Sequence, residues 1–366
     1  MMRIGVPKEI KDKESRVAIT PAGVLRLTQA GHQLYVEQNA GIGSGFSNQD
    51  YLTAGASLVS AAVAWNTELV VKVKEPLPPE YQYLAEQIVF TFFHLAGITP
   101  ELTEVLLTKG TTALAYETLE NEQGNLPILA PMSAIAGNMA ALMGAYYLAS
   151  PYHGKGIQLG TVLGKHYGKV LILGDGVVGQ HAAGVAIAMG AEVYLAGLKS
   201  QAPQQLATVN YIQSNVENIN QHLKDTDLLI GAVLCRGEKA PYLVSEQQLK
   251  TMAKGSVVVD VSIDQGGCIE TSKPTSHSKP IFIQEDIVHY CVTNMPAAYP
   301  KTATIALSRV SLAYIEQLAN HGLEYFIKQA GVKKSLNTYQ GFITCQAVAD
   351  ALHKENNYHS IKSCQF

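Results

Sequence analysis

Four ionisable residues are spaced so that separate strands would deliver them to one place. Arg16 follows the first apolar run, Lys74 ends LVVKVK, His94 follows VFTFF and Glu117 follows TALAY. In open parallel sheets ligands bind outside the carboxyl ends of the strands, where loops and helix N-termini converge. Two cations, an imidazole and a carboxylate there suit a small substrate that carries a carboxylate. Each residue also has a plainer role. Lys74 could be a solvated strand end, Arg16 a surface ion-pair partner of Glu14, and Glu117 a partner of Lys74. His94, between Phe92, Phe93, Leu95 and Ala96, could be a hydrogen-bonded core histidine. Their coincidence at one edge favours a site.

A second cluster is Gly174-Asp175-Gly176-Val177-Val178-Gly179, directly after the apolar run KVLIL and opening a helical pattern. Between a strand and a helix this spacing is a dinucleotide fingerprint: one glycine for the tight turn, one for approach of a pyrophosphate, one for helix–strand packing. The helix start adds N–H donors and partial positive charge. The fingerprint also predicts an acid at the end of the next strand, to bind the ribose 2′-hydroxyl. That strand reads EVYLA, and Gly197 follows it, then Leu198, Lys199 and Ser200. The cofactor is therefore read as NAD, with NADP an open alternative, because Lys199 and Ser200 could take a 2′-phosphate where the acid is missing. Asp264 lies after SVVVDVS, a strand in which Asp260 reads as structural, and Asn294 and Met295 follow HYCVT. Both places are strand ends.

The elements that must position these residues are those of an α/β protein with two doubly wound, Rossmann-like domains. Strands are expected at 3–6, 33–37, 68–74, 88–93 and 112–116, and a second set at 169–173, 192–196, 227–233 and 256–262. Thr20, Pro21 and Gly31 punctuate a first helix. Ser214 with Glu217 has capping-box spacing, and Ser245 begins another helix. After Pro300 the pattern reads as helix only, over 301–319, 322–330 and 340–353. The expected division is 1–128 plus 305–366 as substrate domain and 129–304 as dinucleotide domain, with a cleft between them as ligand site.

Composition narrows the partners. Of 366 residues, 47% are apolar and 16% charged, which excludes a disordered chain. A net charge of −3 gives no cationic field for nucleic acid or an anionic membrane. The five cysteines, at 235, 268, 291, 345 and 364, have neither zinc-site nor disulfide-frame spacing, and reduced thiols in the cytoplasm fit them. No metal is expected. The start MMRIGVPKEIKDKESR has no apolar signal core. Ile128 to Ser150 is uncharged and long enough to span a bilayer, but its Pro, Gly, Asn and Ala content favours a buried helix.

Taken with GVPKEIKDKESRVAITPAGV, VKVKEP, FTFFHLA, AYET, LAPMS, VDVSIDQGGCIE and NMPAAYPKTAT, these motifs resemble, nearly end to end, the alanine dehydrogenase and pyridine nucleotide transhydrogenase family. The resemblance implies oxidative deamination of L-alanine to pyruvate and ammonia with a nicotinamide cofactor, in a soluble homohexamer. It implies that Arg16 and Lys74 hold the substrate carboxylate, that His94 and Asp264 handle protons and the attacking water, and that Ser133, Gly174, Gly176, Gly179, Asn294 and Met295 bind cofactor. An imidazole near its reference pKa of ~6.5 can accept and donate near neutrality, while the two cations favour its neutral form. Hydride would leave the alanine Cα, water would add to the iminium, and the carbinolamine would collapse. The sequence departs from the family at Ala134 and Asn138 after PMS, at Lys13 before Glu14, and at Gly197. These departures leave the proposed catalytic groups in place and put cofactor preference in question. Two other readings stay open: a soluble transhydrogenase component that needs a membrane partner, and a nucleotide sensor without turnover.

Overall fold

The computed structural model describes residues 1–206, 209–235 and 240–361. By its contacts the chain divides into two compact units, Met1–Met132 with Ala297–Phe366, and Ser133–Pro296. The junctions thus fall at 132/133 and 296/297, against expected junctions at 128/129 and 304/305.

The first unit starts with β1 (Arg3–Val6), β2 (Gln33–Glu37), β3 (Ser57–Val59), β4 (Leu69–Lys74), β5 (Ile88–Phe92) and β6 (Thr112–Ala115). Their spatial order is β3-β2-β1-β4-β5-β6, all parallel. The strand order reverses at β1, so β1 and β4 flank the switch point, where a doubly wound sheet opens a crevice. The first helix, Pro21–Gln29, has the expected punctuation. The Thr20 hydroxyl accepts from Gly23 N–H at 3.3 Å, Pro21 needs no N–H partner, and Gly31 takes φ +87°.

The second unit holds a small hairpin, β7 (Gly160–Val162) with β8 (Lys165–Tyr167), and a seven-stranded sheet. Its strands are β9 (Lys169–Leu173), β10 (Glu192–Gly197), β11 (Asn210–Gln213), β12 (Leu228–Gly231), β13 (Val257–Asp260), β14 (Ile281–Gln284) and β15 (Ile287–Tyr290). The order is β11-β10-β9-β12-β13-β15-β14, parallel except for β14. The interiors of β9, β12 and β13 are apolar on both faces, as a sheet covered by helices on both sides requires. A core of Leu171, Leu173, Leu229, Val258, Leu223, Val244 and Leu249 lies on one of those faces.

Two local expectations are corrected. The segment after Pro300 is not helix only: β16 (Leu336–Tyr339) and β17 (Phe342–Ile343) form a hairpin that adds antiparallel to β6. Gln340 and Gly341 both take positive φ at its turn, a conformation that an interrupted helical pattern conceals. The helical stretch before it, Pro300–Lys328, is two helices that meet at Gly322, whose φ of 78° and ψ of 174° no helix contains, in keeping with the expected break between 319 and 322. Finally, Asn215 rather than Ser214 caps the helix Val216–Leu223, accepting from Asn218 N–H at 2.8 Å. Ser245 begins a helix as expected, and it forms a capping box with Gln248.

Cys235, Cys268, Cys291 and Cys345 are free thiols. Among the described residues no helix is long and apolar enough to cross a membrane, and no cluster of three His, Cys, Asp or Glu could hold a metal.

Candidate active site in two halves

The first half lies on the Met1–Met132 unit and starts with a bulge. Val71 pairs with Phe90 but Lys74 with Phe92, so β4 carries one residue more than β5 between those pairs. In an unbroken strand Lys72 and Lys74 would share a face; the bulge re-aims the end of β4. Lys72 is fully buried between Glu9 at 3.1 Å and Glu80 at 2.8 Å. Burial opposes its charge, yet the two carboxylates outweigh burial and raise its pKa. Glu9 also accepts from Val73 N–H at 2.7 Å, which fixes the strand just before Lys74.

Lys74 is buried and not a solvated strand end, and its Nζ stands 4.0 Å from Glu75, which also pairs with Lys11. Arg16 is only 2% exposed. It does pair with Glu14, but in the interior rather than on the surface: Nε donates to Oε1 at 2.7 Å and Nη2 to Oε2. Its Nη1 reaches the Met132 sulfur at 3.2 Å. The paired carboxylate orients the guanidinium and satisfies one edge of it.

His94 occupies the left-handed region, with φ 52° and ψ 35°, which costs a residue bearing a Cβ. Glu117 holds that turn in place. Its two oxygens accept Phe93 N–H at 3.2 Å and His94 N–H at 2.7 Å, and burial pushes its own pKa up to about 7. The imidazole stacks on Phe92 with ring centroids 5.7 Å apart. Removal from water holds it well below the usual histidine range, and the charges of Lys74, Lys11 and Arg16 lower it further. The cations act in the direction expected of them, towards the neutral imidazole, and burial is the larger cause. The structure brings Arg16, Lys74, His94 and Glu117 to the carboxyl ends of β1, β4, β5 and β6. Lys11 and Glu75 belong to the same cluster and escaped the sequence reading, although Glu75 directly follows Lys74.

The second half, on Ser133–Pro296, is built from missing side chains. Gly174 follows β9 with φ +111°, and a Cβ there would meet the Ala232 carbonyl oxygen at 2.4 Å. A Cβ on Gly179 would lie 1.8 Å from the Gly174 oxygen, whereas one on Gly176 would meet nothing within 4 Å. Val177 and Val178 open the helix Val177–Met189, whose start no side chain caps. Two glycines are required by the protein's own packing, and the third leaves open space over uncapped N–H groups. That arrangement fits a pyrophosphate.

Around this turn, Asp260 is buried and structural, accepting from Ser262, Cys268 and Ile269 N–H and from the Ser272 hydroxyl. It shapes the turn Val261–Gln265, on which Asp264 is exposed. Asn294 takes φ +59° and its carbonyl accepts from His277 at 3.3 Å, while Met295 is buried. Ser133 is half-buried on the helix Ala130–Tyr147. Lys199 is exposed, and its backbone N–H donates to the Tyr211 hydroxyl at 3.2 Å. Gly197 is buried against Tyr211 and Asp175, two residues the sequence reading assigned no role.

Comparison with known proteins agrees with this anatomy. Sequence models of the alanine dehydrogenase/PNT N-terminal and C-terminal domains match residues 5–136 and 140–346. The chain is 47% identical to an alanine dehydrogenase of Bacillus subtilis, covering 97% of this chain and 96% of the relative. It is 44% identical to alanine dehydrogenase 2 of Staphylococcus aureus, covering 99% of each. A solved L-alanine dehydrogenase superposes with a TM-score of 0.90 at 46% identity, over 96% of this chain and 99% of the other. A transhydrogenase from Sinorhizobium meliloti shares the fold, with a TM-score of 0.79 at 24% identity, over 93% of this chain and 99% of the other. The chain belongs to the alanine dehydrogenase/PNT family.

Proposed function

We propose that the protein is an alanine dehydrogenase, converting L-alanine to pyruvate and ammonia with reduction of a nicotinamide cofactor. The observation that carries this reading is the cluster at the first unit's sheet edge: two buried cations beside a neutral imidazole. Arg16 and Lys74 would grip the substrate carboxylate, with Lys74 also facing the oxygen that becomes the keto group. Glu14 holds the guanidinium in orientation, and burial makes each charge–carboxylate contact stronger than in water.

His94 would act as the base that takes a proton from the attacking water and returns it when ammonia leaves. Its neutral state suits that duty, because a charged imidazole could not accept a proton. Glu117 positions it through the backbone. Asp264 is assigned to the same proton traffic. When bound, the nicotinamide dinucleotide supplies the hydride acceptor. Gly174, Gly176, Val177, Val178 and Gly179 would hold its pyrophosphate, and Ser133, Gly197, Lys199, Asn294 and Met295 would line the rest of its site. NAD is the cofactor proposed. The family resemblance also supports a cytoplasmic homohexamer, which light scattering on the purified protein tests.

The test of function is absorbance of the reduced nicotinamide on mixing the protein with L-alanine and each oxidised cofactor. Growth of the band with L-alanine and appearance of pyruvate support the assignment. Hydride exchange between two nicotinamide pools with no response to alanine would replace it by a transhydrogenase-type function. Cofactor binding with neither activity would leave a sensor.

A further inference from the structure

At the end of β10 a dinucleotide site ordinarily needs an acid for the ribose, and this chain has Gly197. The space beside that glycine is nevertheless filled. A Cβ at 197 would lie 2.1 Å from the Tyr211 hydroxyl and 2.6 Å from both Cγ and Oδ2 of Asp175. The volume in which a strand-end side chain would begin is occupied by a carboxylate arriving from the glycine turn. We propose that Asp175 supplies the ribose-recognising carboxylate that the strand end lacks, and so selects a cofactor with a free adenosine 2′-hydroxyl. This rests on the reading of the second unit as a nicotinamide dinucleotide site and names its specificity residue.

Three observations support the assignment. The carboxylate is held: Tyr211 Oη donates to Asp175 Oδ2 at 2.9 Å, and accepts the Lys199 backbone N–H at 3.2 Å. That chain ties the turn after β9 to the ends of β10 and β11, so Tyr211 is a positioning residue. Second, Oδ1 has no hydrogen-bond partner among the described residues, which leaves an acceptor for a ligand hydroxyl. Third, Gly197 is explained: any larger residue would displace the Asp175 carboxylate, so glycine on the strand and aspartate on the turn form one exchange of position. A ribose 2′-hydroxyl donates to such a carboxylate, whereas a 2′-phosphate brings negative charge against it without a proton to share. Lys199 directs its backbone rather than its side chain into this network and does not by itself reverse that balance.

The experiment is fluorescence titration of the intact protein with NADH and with NADPH, which differ only at the 2′ position. The wild type, Asp175→Asn and Tyr211→Phe are compared, with folding checked by circular dichroism. The wild type is expected to bind NADH about 10–100-fold more tightly, the range for a hydrogen bond to a charged group. Asp175→Asn should remove most of that ratio, and Tyr211→Phe part of it, while the fold is retained. Equal binding of the two cofactors by the wild type, or an unchanged ratio in a folded Asp175→Asn, overturns the proposal. Should Asp175→Asn not fold, an unchanged ratio in Tyr211→Phe overturns it. If the ratio fails while L-alanine is still oxidised, only this inference falls; if neither cofactor binds, the functional reading falls with it.

Discussion

The candidate site on the first unit and the candidate site on the second solve opposite problems. Around His94 the protein concentrates charge: Arg16, Lys74 and Lys11 face Glu14, Glu75 and Glu117 in a largely buried cluster. Around Gly174 it removes side chains, so that backbone N–H groups and open space do the binding. The first half must tune protonation states, which takes paired groups and exclusion of water. The second must let a large ligand lie against the backbone, which takes residues with nothing to clash. Substitutions in the two halves should therefore fail differently, and single variants can separate the two modes of failure.

The steepest loss is expected in the charged half. His94→Asn should lower kcat/KM for L-alanine by about 10²–10⁴-fold, the usual worth of a general acid–base group, with the NADH dissociation constant nearly unchanged. Near-normal turnover would remove His94 from the mechanism, and lost NADH binding would end the division of labour. Asp264→Ala tests the second proton carrier in the same assay.

Next come the glycines. Gly179→Ala places a Cβ 1.8 Å from a backbone oxygen, and the overpacking should destabilise the protein by about 1–3 kcal/mol, read by thermal denaturation. Gly176→Ala meets nothing within 4 Å, so stability should stay within about 0.5 kcal/mol while NADH binding weakens. Equal loss of stability in the two variants would contradict the claim that Gly176 serves the ligand and Gly179 the fold.

The pH dependence comes third. Glu117 has its carboxyl raised from 4.5 to about 7, so between those values the folded state holds a proton that the unfolded state has released. Stability therefore falls as pH rises through that window, by at most about 3 kcal/mol, and is not regained above it. Glu117→Gln should lack this slope, so wild type minus variant is more favourable at pH 5 than at pH 8. A smaller effect concerns His94, whose neutral form should keep the acid limb of kcat/KM below pH 6.5. Lys11→Met removes one cation that lowers it, and the limb should move upward. A limb already at 6.5 in the wild type would contradict the neutral imidazole.

Much of this was legible from sequence, because strand-end placement and the glycine spacing are local rules. Lys74, His94 and Glu117 each end or directly follow an apolar run, and the roles of Gly174 and Gly179 come from a turn of six residues. The features that escaped depend on register and on distant contacts. The bulge between Val71 and Lys74, which separates the buried Lys72 from Lys74, leaves no mark in LVVKVK. Arg16 was visible as a partner of Glu14, but its burial was not, since burial comes from elements folded over it. Asp175 has no role in the fingerprint read from sequence, and only its closeness to Gly197, 22 residues on, gives it one. The hairpin at 336–343 was hidden because a short edge strand beside a helix-rich tail carries little period of its own.

One atom decides whether the two halves act together on alanine. With L-alanine deuterated at Cα, direct hydride transfer delivers the deuterium to the reduced nicotinamide, and one pyruvate should appear per cofactor reduced. Deuterium released to water, or cofactor reduced without pyruvate, would contradict the assignment.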